Sequence, residues 1–305
     1  MSMWVYADGT SGNDPSGNSG VIFPRGTAGV IFQDGIIWGG IVNDGVDPKI
    51  RVGGQTYTSG TVPGSILSQG VSEDFGDPSV NRVWRIRRDY FRADLTRDAA
   101  EINLKGIVEV TQSEIDAVRT RYDRDWAEWP WQKGAPFYDA DGDGAYTPQF
   151  NPDGAPKLFP EADEPGLAAA DQVIWFVMND LDPGRVIALY GSPAMGLEVQ
   201  ATLWAYKSES SLANVIFKRY RLIYQGTASG TGNANIERMH ITQWSDPDLG
   251  TSTDDFVGCD VPLDLGYVYN SNSLDIMFDK FKLPPPAAGY DFLAGPLVRS
   301  PSDFA

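Results

Sequence analysis

Short runs of β-branched and aromatic residues, each cut off by a glycine-containing turn, constrain this chain more than any other feature in it. Val30-Ile31-Phe32, Ile36-Ile37-Trp38, Ile50-Arg51-Val52 and Gln55-Thr56-Tyr57 are separated by Gln33-Asp34-Gly35, Asn43-Asp44-Gly45 and Gly53-Gly54. Asp-Gly and Gly-Gly take the positive φ that tight hairpins need, so the spacing predicts an antiparallel meander. A second meander is predicted from Asp171 onward, over Gln172 to Met178, Val186 to Tyr190, Leu197 to Lys207, Val215 to Tyr224 and Ile236 to Trp244. Between Val215 and Tyr224 charged and apolar residues alternate, the pattern of a strand with one buried face. The fold class expected is mainly β: an antiparallel β-sandwich or jelly-roll-like set of meanders, with a small helical insertion over about 94–128.

That insertion is marked by Thr111 and Glu114 at capping-box spacing, by Ile115, Val118, Tyr122 and Trp126 at steps of three and four, and by Pro130 as a stop. A weaker helix is expected over Asp94 to Leu104, starting near Thr96. The domain reading is therefore residues 1–20 as a flexible arm, 21–90 as an N-terminal β-meander, 91–170 as a helical and calcium-loop insertion, and 171–305 as a second β-sheet region that could be continuous with 21–90. Arg82, Arg85, Arg87 and Arg88 are conspicuous in so acidic a chain. They suit a salt-bridged strand face, or a patch that docks an acidic surface.

The formal charge of −17 argues against nucleic acid or an anionic membrane as partner, because both repel a polyanion. It suits a protein that binds cations. No apolar run approaches the roughly 18 residues that a membrane helix needs, so no membrane insertion is expected. Met1-Ser2-Met3-Trp4 leads straight into polar residues, which is not a signal-peptide pattern. Cys259 is the only cysteine and His240 the only histidine, which excludes an intrachain disulfide and any site needing two His ligands from this chain. Cys259 is expected as a buried thiol rather than a nucleophile, since the aspartates around it disfavour a thiolate.

Acid is clustered at 139–143, 246–260 and 179–182, and the first two of these are the candidate metal sites. Asp139-Ala140-Asp141-Gly142-Asp143-Gly144-Ala145-Tyr146 is the front half of a calcium loop, with Asp139, Asp141 and Asp143 at positions 1, 3 and 5, Gly144 at the bend and the Ala145 carbonyl at position 7. Position 12 is Phe150, so the loop is not an EF-hand. Asp153 or Asp171 is expected to complete it. The second constellation, Asp246, Asp248, Asp254, Asp255 and Asp260, falls at the end of a predicted strand, where side-chain and backbone oxygens could wrap another hard cation. One or two Ca²⁺ ions are expected in all, against the plainer reading that these aspartates only form turns and caps.

An enzyme reading must use the same groups. Glu198, Asp246, Asp248, Asp254 and Asp255 could supply the acid pair of a glycoside hydrolase, and Trp38, Trp129, Trp131, Trp175, Trp204 and Trp244 could stack on sugars. Tryptophans in alternating strands are more often core residues. With no nucleophile elbow, phosphate loop or dinucleotide fingerprint in the chain, an enzyme is the less favoured expectation.

Taken together, Trp131 to Tyr146 (WQKGAPFYDADGDGAY), Asp171 to Trp175 with Asn179-Asp180, and Trp244 to Tyr269 (WSDPDLGTSTDDFVGCDVPLDLGYVY) resemble a family of large uncharacterised secreted bacterial surface proteins, of the kind exported by the type IX secretion system. Ile31 to Gly40 and Pro285 to Gly295 extend the resemblance over most of the chain. It implies an extracellular or cell-surface location, calcium or a similar cation, and a chain that continues past Ala305. The expected function is a structural or adhesion module stabilised by calcium, whose partners are itself or other surface proteins. The alternative is a carbohydrate-binding module or glycoside hydrolase, with polysaccharide as partner.

Overall fold

The computed structural model describes residues 1–232 and 234–297; the last residues of the expected 171–305 region lie outside the described residues. Strand makes up 32% and helix 17%, so the architecture is mainly β, built from antiparallel sheets. Two sheets set the frame. In the first, Gln33–Val42 lies between Ile236–Asp246 and Ile50–Gly54. In the second, Gln172–Asn179 is central, with Leu197–Ala205 and then Phe217–Tyr224 on one side and Val62–Pro63 and Trp84–Arg87 on the other. Strands from 21–90 and from 171–305 therefore share both sheets.

The two sheets meet through Ile36, Trp38 and Val42 on one and Phe176, Met178, Leu197, Val199, Ala201 and Leu203 on the other, giving a sandwich-like core. The other face of the central strand presents Val173, Trp175 and Val177 to two helices, α1 (Thr96–Ile102) and α2 (Gln112–Ala127). Gln172–Asn179 is thus covered on both faces, which is why its sequence is a continuous apolar run rather than an alternation. In α2 the expected capping box is formed: Thr111 Oγ1 accepts from the Glu114 amide at 3.3 Å, and Glu114 accepts from the Thr111 amide at 2.9 Å. Val118, Tyr122 and Trp126 are the buried face of that helix. A third sheet, Asp255–Asp260, Leu265–Asn270 and Ala288–Asp291, packs through Val268 on Val21, Val30, Leu249 and Phe278.

Several local expectations are corrected. Gln33-Asp34-Gly35 is not a turn but the start of the Gln33–Val42 strand, because Asp34 is 1% exposed and accepts hydrogen bonds from Tyr290 Oη at 2.7 Å and from Ser11 and Lys218. Ser11 is itself buried, and Ala7 and Gly12 with it, so the 7–12 part of the 1–20 segment packs against the sheet instead of forming a free arm, while residues 15–18 are exposed. Val186 to Tyr190 belongs to a helix, Pro183–Tyr190, started by Asp182 accepting from the Arg185 amide at 2.8 Å and stopped by Gly191 at φ 68°. Asp-Pro at a helix start and a left-handed glycine at its end are strong helix signals, and here they outweigh the β-branched composition. Cys259 is exposed, not buried.

Candidate metal centre

The Asp139 loop is held at a neck. Phe137–Tyr138 pairs antiparallel with Glu164–Pro165, with Tyr138 opposite Glu164 and Phe137 opposite Pro165. The next position on each strand, moving into the loop, is Asp139 on one side and Asp163 on the other, so the register alone brings two carboxylates together. Below the neck, Phe137 packs edge-on against Tyr146 and Trp131, and Tyr146 Oη donates to the Trp126 carbonyl of α2 at 2.7 Å. The loop is thereby fastened to the helical layer.

Within the loop each aspartate folds its own turn. Asp139 accepts from the amides of Gly142 at 2.7 Å and Gly144 at 2.8 Å, Asp141 from Asp143 at 3.2 Å, and Asp143 from Ala145 at 2.7 Å. Gly142 and Gly144 sit at φ 76° and 79° with open space where a Cβ would stand, so it is backbone conformation and not crowding that calls for glycine here. Asp163, 3% exposed, accepts from the Ala140 amide at 2.9 Å and the Thr147 amide at 2.7 Å, bridging both ends of the loop. The amide of Gly144, with that of Gly142, holds the Asp139 carboxyl below its ordinary range against the opposing effect of burial. It stays ionised in mild acid.

Asp139, Asp141 and Asp163 each offer an oxygen within 4.8 Å of the others, the one group of three or more such side chains found among the described residues. An all-carboxylate set with no sulfur or nitrogen suits a hard cation, and each oxygen has lone pairs beyond those its amide donors use. The partner of the loop is therefore Asp163, not Asp153 or Asp171. Asp153 is paired with Arg92 at 2.6 Å, and Asp171 accepts from the Lys207 amide at 2.6 Å. Asp143 remains on the loop outside the converging trio, and the Ala145 amide is tied to it. Asp163 was missed because nothing in Ala162-Asp163-Glu164-Pro165 reveals its pairing with residues more than twenty positions earlier.

The second constellation divides. Asp246, Asp248 and Asp255 line one open cleft of about 480 Å³ together with Phe32, Pro247, Ser252, Val257 and Val268. Burial, then the charges of Asp246 and Asp255, raise the Asp248 carboxyl above its ordinary range. Asp255 is also raised, burial outweighing the Leu249 amide that donates to it at 2.9 Å, and its other oxygen is buried without a partner. Asp254 is instead bonded to the side chains of Asn270 and Asn272. Asp260 lies at the far end of the Asp255–Asp260 strand, about 16 Å from Asp255 at ~3.3 Å per residue.

Of the tryptophans, Trp38, Trp129 and Trp175 are buried core residues and Trp204 stacks on Phe217. Trp244 is in edge contact with Tyr57, whose hydroxyl donates at 2.8 Å to Asp246, a residue of the cleft wall. Glu198 is buried and occupied, accepting from the Ile66 amide at 2.7 Å and from Gln200 at 2.8 Å. No helix among the described residues is long and apolar enough to cross a membrane. Comparison of the chain with protein-family models, with curated proteins and with solved structures found no match in any of the three.

Proposed function

We propose that this chain is a calcium-stabilised structural or adhesion module of a secreted or cell-surface protein, with itself or other surface proteins as partners. The observation that carries the reading is the trio Asp139, Asp141 and Asp163, set at the neck of a long loop where an ion would join the two ends of that loop. Calcium is the cation favoured, because an oxygen-only and partly open site accepts its larger and more variable shell more readily than the strict octahedron of magnesium. The resemblance of WQKGAPFYDADGDGAY and its neighbours to secreted surface proteins supports the location.

Isothermal titration with Ca²⁺ and thermal unfolding with and without chelator test this reading together. A cation present at about a hundred times its dissociation constant stabilises by about 2.7 kcal/mol, a rise of several degrees in melting temperature. Asp141→Asn should remove most of that rise while leaving the chelated protein unchanged, since the Asp141 carboxylate supports only one weak turn contact. No heat of binding and no chelator effect would end the calcium reading.

A second reading rests on the Asp246, Asp248 and Asp255 cleft. Either it takes a second cation, or its raised carboxyls and the Tyr57–Trp244 pair serve a carbohydrate. A glycan array and a polysaccharide-hydrolysis screen with Asp248→Asn as control separate these, a blank result in both removing the sugar.

A further inference from the structure

A different cluster carries charge of the opposite sign. Arg82, just before the Trp84–Arg87 strand, and Arg85 within it meet Arg121 of α2 around one buried carboxylate, Asp125, and the charge of Arg124 acts on Arg121 from the same helix. Asp125 is fully occupied: Arg82 contacts one oxygen, and the other accepts from the Arg85 amide at 3.0 Å with Arg121 Nε 3.8 Å away. Glu128, 3.6 Å from Arg82, is the other acid at hand. Four arginines against two acids leave two positive charges locally, in a chain whose total is −17.

The Arg85 guanidinium lies 4.8 Å over the ring of Tyr122, and its Nε and Nη2 are buried with no hydrogen-bond partner among the described residues. Arg121 Nε is in the same condition, while Arg121 Nη2 donates to the Val83 carbonyl at 3.1 Å. Burial, and after it the charge of Arg85, push the Arg121 guanidinium down, with Asp125 opposing. Leaving such buried donors unpaired is unfavourable, because each has given up its water and gained no partner. The Arg121 side chain is 42% exposed and Arg124 is exposed, so the cluster has a mouth to solvent.

The geometry points to an oxyanion-binding site formed by Arg85 and Arg121, with Arg82 and Arg124 as neighbouring positive charges. A guanidinium presents parallel N–H donors that match two oxygens of a carboxylate, sulfate or phosphate group. Two sources share that chemistry: a free inorganic oxyanion, and a carboxylate on a second copy of this acidic chain.

The test uses the full chain titrated with millimolar sodium sulfate at constant ionic strength, followed by calorimetry and melting temperature, for the natural protein and for Arg85→Met. The natural protein should bind sulfate saturably and melt higher; the variant should bind at least about tenfold more weakly, the loss of one charge-assisted hydrogen bond or more. Without sulfate, Arg85→Met should melt no lower than the natural protein, because it removes an unpaired buried cation. Equal sulfate response in both proteins, or none in the natural one together with none for phosphate and acetate, overturns the site. If Arg85→Met does not fold, Arg85→Lys keeps the charge without the fork and should show the same weakening. Sedimentation at several protein concentrations separates the sources. Self-association reversed by sulfate identifies the carboxylate of a second copy, and a monomer that binds sulfate identifies a free anion.

Discussion

Two aspartates that converge on the same loop neck are expected to behave differently when changed. Asp163 is buried and bridges the amides of Ala140 and Thr147, so Asp163→Ala should lower stability by about 1–3 kcal/mol with or without calcium, checked by urea denaturation. Asp141 is exposed and should matter only when a cation is present. In the cleft the sign reverses. A carboxyl raised in the folded state contributes stability below its unfolded pKa and loses it as pH rises through the folded value. Asp248 is such a group, so at pH 7 without divalent cation Asp248→Asn should melt above the natural protein, the difference closing near pH 4. For Asp139, whose carboxyl is depressed, the contribution is present above the unfolded value and lost as pH falls through the folded one, so cation binding at the loop should survive at pH 5. The Asp139 to Gly144 turn was legible in the sequence because position-by-position spacing defines it. The role of Asp163 was not, because it depends on a strand register set by packing elsewhere.

At the scale of elements, local signals were legible wherever one residue meets its near neighbours. The Thr111 and Glu114 box announced α2, and Thr111→Ala should cost about 1 kcal/mol in chemical denaturation, the usual worth of such a cap. The same kind of signal, Asp182-Pro183 followed by Gly191, marked the Pro183–Tyr190 helix, but the Val-Ile pair within it favoured a strand reading. Asp34-Gly35 misled in the other direction. As a dipeptide it specifies a turn, whereas its actual state is fixed by Ser11, Lys218 and Tyr290, which lie far away in sequence. The acids at 246 to 260 were legible as a group, yet the strand Asp255–Asp260 separates its two ends, so only Asp246, Asp248 and Asp255 share a cleft.

Across the whole molecule, the sandwich reading follows from strands whose alternation could be seen, and the three-layer arrangement follows from a central strand that does not alternate. Gln172–Asn179 is the common wall of two cores, touching the first sheet through Phe176 and Met178 and the helices through Val173, Trp175 and Val177. Neither core can open without exposing that wall. Its amides should therefore be among the last to exchange with deuterium, on both the sandwich side and the helical side, with protection equal to the free energy of global unfolding. A fragment ending before residue 171 would have no such wall, so its own apolar faces would stay wet and it should bind calcium, if at all, without the cooperative melting of the full chain.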